Sequence, residues 1–231
     1  MKLKITLTTL SFFIMFLFAC SLRLQAGNNE NIELQQKYDF ASQNSSDINE
    51  HVPTLRRYAK ECSSVIELGV RSMVSTWGIL KGLSESALDN PSYVGVDIEL
   101  PPIETLASAS RLAKANGIHF IFTLANDMDI DINPADMLFI DSLHTYCHLT
   151  YELETFSSKI NKYIAIHDTT FSNETIDGPG YEGDYSEYPA AYDRTKRGLW
   201  PAIVDFLAGH PEWILFERYY NNYGLTILKR M

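Results

Sequence analysis

The chain has 231 residues, of which 45% are hydrophobic, which is enough to fill the core of one domain of ordinary size. Its formal net charge is −10 and its pI is near 5.0. This charge argues against nucleic acid as a partner, because its phosphates would be repelled. It favours a neutral or cationic small molecule, or an anion held by a metal.

The N-terminal segment, residues 1–26, is typical of a signal peptide or membrane anchor. Lys2 and Lys4 precede an almost wholly apolar run from Leu7 to Ala19, which is short for a transmembrane span. Cys20 follows in a sequence that loosely resembles a lipoprotein cleavage box. The sequence therefore predicts export or membrane anchoring through this segment alone. Cleavage, lipidation and cytoplasmic exposure of the rest stay open.

Residues 27–50 are rich in Asn, Gln, Ser and Glu, and this composition predicts a linker that is at most loosely helical around Glu33 to Phe40. Pro53 then predicts the start of a helix, because proline suits the first helical turn. Residues 51–231 are expected to form one domain.

This domain alternates short apolar runs with helix-length segments, which predicts a parallel sheet with helices on both faces. Five parallel strands are expected, and two more strands around the turn Asn221–Gly224 predict a closing antiparallel hairpin. The predicted strands are Val65–Val70, Tyr93–Ile98, His119–Thr123, runs ending at Asp141 and Asp168, Trp213–Glu217 and Leu225–Leu228. The predicted helices are Ser75–Leu88, Ile103–Asn116, Cys147–Ile160 and Gly198–Gly209. The expected fold class is thus α/β, a Rossmann-like, mostly parallel seven-stranded sheet with a C-terminal antiparallel hairpin.

Two cysteines lie inside this domain, Cys62 just before the first strand and Cys147 just after the fourth. Parallel strands place these positions at opposite ends of the sheet, which is too far for a disulfide. Two buried free thiols are expected.

Polar residues follow several of the predicted parallel strands, where ligands of an open α/β sheet bind. Asp141 and His144 follow the fourth strand, and His167 and Asp168 end the fifth. These four side chains are expected at one edge of the sheet, close enough to share a metal ion or to exchange a proton.

A second set of residues is typical of a nucleotide-like ligand. Gly69 in the first strand-to-helix turn would let backbone N–H groups approach a ligand closely. Asp97 ends the second strand, where an acidic side chain can accept both hydroxyls of a ribose.

Taken together, Glu67-x-Gly69, Asp97, Asn126-Asp127 and the closing hairpin resemble a class I S-adenosylmethionine-dependent methyltransferase. Within that class, Phe139-Ile140-Asp141-x-x-His144-x-Tyr146 and His167-Asp168 resemble the metal-dependent small-molecule O-methyltransferases, which include macrolide sugar O-methyltransferases. The resemblance covers residues 50–231.

The resemblance implies a role for each matching residue. Glu67 and Gly69 would contact the methionine part of the cofactor, Asp97 its ribose, and Asn126 and Asp127 its adenine. Asp141 and Asp168, with His167, would hold a divalent metal, and His144 would be the general base.

The chain departs from that family pattern at two positions. Met73 stands where the cofactor loop usually has a second glycine, and its side chain could crowd the cofactor or pack under it. His167 stands where the branch has a carboxylate, which shifts the expected metal from magnesium toward manganese, iron or zinc. The identity of the metal therefore stays open.

The segment 171–197 leaves directly from the Asp168 strand end and should overhang the site. Acids interleave there with Tyr181, Tyr185, Tyr188 and Tyr192, a composition suited to binding a sugar or polyol or to a solvated loop. His148 shows no partner in the sequence and is interpreted as structural.

The predicted function is S-adenosylmethionine-dependent methyl transfer to a hydroxyl of a small molecule, for which a sugar-like acceptor is one option, assisted by a divalent metal and the base His144. The predicted export signal conflicts with this function, because S-adenosylmethionine is made and kept in the cytoplasm. Two alternatives stay open, a metal-dependent hydrolase or oxygenase using the same four residues, and a non-catalytic exported binding domain.

Overall fold

The computed structural model describes residues 29–170 and 185–231. The predicted export signal, residues 1–26, lies outside these ranges. Tyr181 of the segment 171–197, which is expected to overhang the site, lies outside them as well. Within the two ranges, no helix combines the length and the apolar composition needed to cross a membrane.

The domain is built on one seven-stranded sheet with the strand order β3-β2-β1-β4-β5-β7-β6. Strands β1 to β5 are parallel, and β7 runs antiparallel between β5 and β6. The strands are β1 Ser64–Leu68, β2 Ser92–Asp97, β3 His119–Leu124, β4 Ala135–Ile140, β5 Ile160–His167, β6 Trp213–Tyr219 and β7 Leu225–Arg230. The predicted fold class is confirmed, including the closing hairpin.

Helices cover both faces of the sheet. They are α1 (29–43), α2 Val52–Ala59, α3 Val74–Ser84, α4 Ile103–Ala115, α5 Tyr146–Phe156 and α6 Leu199–Gly209. Successive strand residues point to opposite faces, so Phe139 packs with α1 to α4 whereas Leu138 packs with α5 and α6. This alternation produces two apolar cores, one on each side of the sheet.

The prediction of a linker over residues 27–50 is corrected by α1. Leu34, Tyr38 and Ala41 are buried in the first core, and their spacing of four and three residues places them on one helix face. Ile48 beyond the helix is buried there as well. The abundant polar residues on the other faces of α1 hid this short apolar stripe.

Cys62 and Cys147 are buried free thiols, as predicted. The Cys62 thiol donates to the Tyr58 carbonyl oxygen at 3.3 Å, and burial raises its pKa to about 12. At neutral pH it is therefore a protonated, unreactive side chain.

Candidate active site

A cavity of about 350 Å³ opens at the carboxyl ends of β1 to β4. This volume suits a small ligand, and the position is the usual ligand crevice of an open parallel sheet. The predicted site residues that line it are Gly69, Asp97, Asn126, Asp127 and Asp141, and Arg71, His148 and Tyr188 line it as well.

Gly69 allows β1 to turn directly against the end of β4. Its φ of +82° is in the left-handed region, and an added Cβ would lie 2.1 Å from the carbonyl oxygen of Asp141. Only glycine fits there. The turn that lines the cavity is therefore packed tightly against the backbone of Asp141, a candidate metal ligand.

Asp97 holds this same turn from the neighbouring strand. Its Oδ2 accepts the backbone N–H groups of Val70 at 2.8 Å and Arg71 at 2.7 Å, and its Oδ1 accepts that of Glu99 at 2.9 Å. A carboxylate offers about four acceptor positions, so room for one ligand hydroxyl remains. Asp97 therefore both fixes the turn that forms this part of the cavity wall and keeps one acceptor position available to a ligand.

Met73 packs beneath the turn. Its side chain is fully buried in the first core, and it is absent from the residues that line the cavity. Of the two outcomes considered from sequence, the structure shows packing under the cavity and not crowding within it.

Glu67 lies in the core behind the cavity. It is fully buried, and its carboxylate accepts hydrogen bonds from the hydroxyls of Ser75, Thr76 at 2.8 Å and Tyr93 at 2.5 Å. Gly95 leaves room for this arrangement, since a Cβ there would lie 2.6 Å from the Tyr93 hydroxyl. Burial raises the pKa of Glu67 to about 7. The structure gives Glu67 the role of anchoring the start of α3, and its contact with a cofactor stays a prediction.

Asn126 and Asp127 follow β3 on the opposite wall. The Asn126 side chain is exposed at the rim, where its Oδ1 accepts the N–H of Met128 at 2.9 Å. Asp127 is buried, and its Oδ2 lies 2.9 Å from His148 Nε2. His148, interpreted from the sequence as structural and without a partner there, lies in the cavity wall with this predicted cofactor residue as its partner.

The four polar residues that follow β4 and β5 do converge. His144 Nε2 lies 3.0 Å from Asp168 Oδ2 and 3.4 Å from Asp141 Oδ1. His167 Nδ1 lies 3.1 Å from Asp141 Oδ1 and 3.6 Å from Asp168 Oδ2. Asp168 adopts a φ of 57°, a strained conformation of the kind that clusters at functional sites.

The donor set of this cluster fits a divalent cation. Asp141, His167 and Asp168 each offer one ligand atom, and these atoms lie within 4.8 Å of one another. His167 Nε2 lies 3.0 Å from the carbonyl oxygen of Asn222 and must donate its proton there. This contact, common for metal-binding histidines, leaves Nδ1 directed at the carboxylates.

Without a cation, protons balance the charges of this cluster. Burial alone would lower the pKa of His144, but its hydrogen bonds to Asp141 and Asp168 raise it to about 10. Burial also opposes the charged form of His167, yet the charge of Asp141 raises its pKa to about 9. The two histidines in turn hold the pKa of Asp141 well below its usual range, although burial acts in the opposite direction.

The structure adds two contributors that sequence reasoning missed, His51 and Arg71. The His51 ring packs edge-on against His167 at 5.6 Å, so the connection between α1 and α2 supports the site. Arg71 lines the cavity and pairs with Asp47 at 2.5 Å. No short motif marks these contacts, because each joins the N-terminal residues to a distant strand end.

Part of the predicted substrate segment reaches the site as expected. Tyr188 is buried and lines the cavity, and its hydroxyl lies 3.0 Å from His148 Nδ1.

Solved structures with the same fold include O-methyltransferases. No protein-family model matches the chain, and no curated protein matches it. The O-methyltransferase from Bacillus cereus in complex with SAH shares 16% identity with a TM-score of 0.55, covering 88% of this chain and 91% of that one. TomG from Streptomyces achromogenes, an O-methyltransferase involved in tomaymycin synthesis and solved with SAM, shares 13% identity with a TM-score of 0.53, covering 89% of each chain. At these identities the likeness shows the fold, which is the Rossmann-like fold of class I methyltransferases.

Proposed function

We propose that the protein is an S-adenosylmethionine-dependent O-methyltransferase that acts on a small hydroxylated molecule. The observation that supports this most is the position of the cavity, which brings Gly69, Asp97 and Asn126 together with Asp141 at one strand edge. A cofactor would lie along the first three, next to the cluster that contains the candidate base.

The residues present fit the cofactor in chemistry. Asp97 retains one acceptor position for a ribose hydroxyl, and Gly69, which lines the cavity, has no side chain to occupy the space of the cofactor. Arg71, at the cavity rim, carries a positive charge that would suit the carboxylate of the methionine part.

The acceptor hydroxyl would be bound and deprotonated at the Asp141, His167 and Asp168 cluster, with His144 as the base. A divalent cation held by these residues would lower the pKa of the hydroxyl and orient it. His144 can accept a proton only as the neutral imidazole, so its role depends on relief from the two carboxylates that now keep it charged. Tyr188 on the cavity wall offers an aromatic ring and a hydroxyl to a polyol acceptor.

The test is transfer of a labelled methyl group from S-adenosylmethionine to a panel of sugars, polyols and phenols, with Mg²⁺ or Mn²⁺ present. The proposal expects at least one labelled acceptor, and a drop of about 10²-fold or more in rate for His144→Gln, the usual loss when a general base is removed. Glu104→Gln at an exposed helix position serves as the control. Equal rates for His144→Gln and the parent would refute the role of the base.

One observation favours a second candidate, a metal-dependent hydrolase. Two histidines and two aspartates at one edge could hold a metal without any cofactor. A metal-dependent rise in melting temperature, with no further rise on adding S-adenosylhomocysteine, would support this candidate over methyl transfer.

A further inference from the structure

A second cluster of ligand-type side chains lies in the wall of the cavity, apart from Asp141, His167 and Asp168. It consists of Asp127 in the turn after β3 and of His148 and Glu152 in α5, all three buried. His148 and Glu152 are four residues apart and therefore share one face of the helix.

Glu152 has an unsatisfied atom inside this cluster. The side chain is fully buried, and its Oε1 accepts the hydroxyl of Ser142 at 2.6 Å. Its Oε2 is buried and receives no hydrogen bond from a donor among the described residues, and the Asp127 carboxylate lies close enough to share a proton with this side chain. A buried carboxylate oxygen in this state is costly unless a cation or a proton compensates it.

The charges of the cluster point the same way. Within residues 29–170 and 185–231, the only basic group within ion-pair distance of Asp127 or Glu152 is His148. Two buried carboxylates thus face a single imidazole, with no lysine or arginine to balance them.

The distances match those between ligands of one small cation. His148 Nε2 lies 2.9 Å from Asp127 Oδ2 and 3.8 Å from Glu152 Oε1. Donors about 2.1 Å from a tetrahedral zinc are roughly 3.4 Å apart. The other ring nitrogen of His148, Nδ1, lies 3.0 Å from the Tyr188 hydroxyl, a contact that would fix the ring orientation.

We propose that Asp127, His148 and Glu152 form a second divalent-cation site. One imidazole and two carboxylates suit zinc, manganese or iron(II). The ion would tie the turn after β3 to α5, two elements that together form one wall of the cavity. This site does not depend on methyl transfer.

The competing arrangement is a proton shared within the cluster, which would also compensate the carboxylates. The two arrangements differ in whether removing one ligand changes the number of bound ions. Glu152→Gln keeps the shape of the side chain and removes one ionisable ligand, so it discriminates between them.

The experiment counts bound Zn²⁺ per chain by equilibrium dialysis of the full chain after stripping with a chelator. The proposal expects Glu152→Gln to bind one ion fewer than the parent protein. The matched control is Glu154→Gln, an exposed position on the same helix, which should leave the count unchanged. Asp168→Asn, in the cluster of Asp141, His167 and Asp168, should remove a different ion. The double variant of Asp168→Asn and Glu152→Gln should therefore lose both ions.

Two outcomes separate this proposal from the function proposed above. A parent protein that binds one ion, lost in Glu152→Gln but kept in Asp168→Asn, would support the second site and contradict metal use at the first. Identical counts for Glu152→Gln and the parent would overturn the second site. If Glu152→Gln fails to fold, as judged by circular dichroism, the same count on His148→Gln decides.

Discussion

Replacing Glu67 by glutamine should change how the stability of the protein depends on pH. Glu67 is fully buried, and burial raises its pKa from the usual 4.5 to about 7. The unfolded chain therefore ionises Glu67 at lower pH than the folded protein does. Stability is lost as the pH rises from about 4.5 to about 7, and it is level above that range.

The size of this effect follows from the two pKa values. A separation between 4.5 and about 7 corresponds to about 3 kcal/mol of unfolding free energy, of which about 2.5 kcal/mol falls between pH 5 and pH 8. Glutamine does not ionise, and the hydroxyls of Ser75, Thr76 and Tyr93 can rotate to bond its amide. The variant is therefore expected to fold.

The assay is urea unfolding of both proteins at pH 5 and pH 8. The stability of the parent relative to Glu67→Gln should fall by about 2.5 kcal/mol between the two values. The surface variant Glu104→Gln should show no such change relative to the parent. A difference between the parent and Glu67→Gln that is the same at both pH values would refute the buried, raised-pKa carboxyl.

Two further substitutions test the packing around the site. Gly69→Ala should lower the free energy of unfolding by well over 2 kcal/mol, because the added Cβ meets the Asp141 backbone. The control Gly117→Ala also has a positive φ, +75°, but its Cβ would point into open space, so it should cost only about 1 kcal/mol. Similar losses for the two variants in urea titrations would contradict the close approach of Gly69 to Asp141. Leu34→Ala in α1 should cost about 2–5 kcal/mol, whereas Ile32→Ala, 57% exposed on the same helix, should cost little. Equal melting temperatures for those two variants would show that α1 does not pack on the domain.

The sheet could be predicted from sequence because its signal is local. Each strand is a short apolar run, and the helices between the strands require parallel connections. The errors are in places where a longer-range contact decides. Ile160, predicted to end a helix, starts β5, where it pairs with Ala135 of β4.

The strand pattern also predicts which residues lie at the carboxyl edge of the sheet. It does not predict which side chains contact one another there. Asp141 and Asp168 meet because their strands are neighbours in the sheet. The pair of Asp127 with His148 joins a turn to a helix that is not adjacent in sequence, so no motif predicts it. The four-residue spacing of His148 and Glu152, which places both on one face of α5, was the only local sign of this cluster. It indicates a ligand set only when the fold places Asp127 beside them.

Glu67 shows how much the surroundings of a side chain depend on neighbouring strands. The family resemblance implied a cofactor contact for it, and the structure adds that the sheet register brings Tyr93 of β2 and the first turn of α3 around its carboxylate. Whether an acidic side chain at a strand end faces the ligand or the core depends on which neighbours fill the space beside it.

The most direct test of the account is the melting temperature of the protein with S-adenosylhomocysteine. A ligand at about 100 times its Kd adds roughly 2.7 kcal/mol, which raises the melting temperature of a domain of this size by about 5–10 °C. We predict such a rise for the parent and for the control Asp129→Asn, an exposed aspartate that does not line the cavity, and its loss in Asp97→Asn. No rise in the parent at any ligand concentration, or an equal rise in Asp97→Asn, would contradict a cofactor site at the ends of β1 to β4.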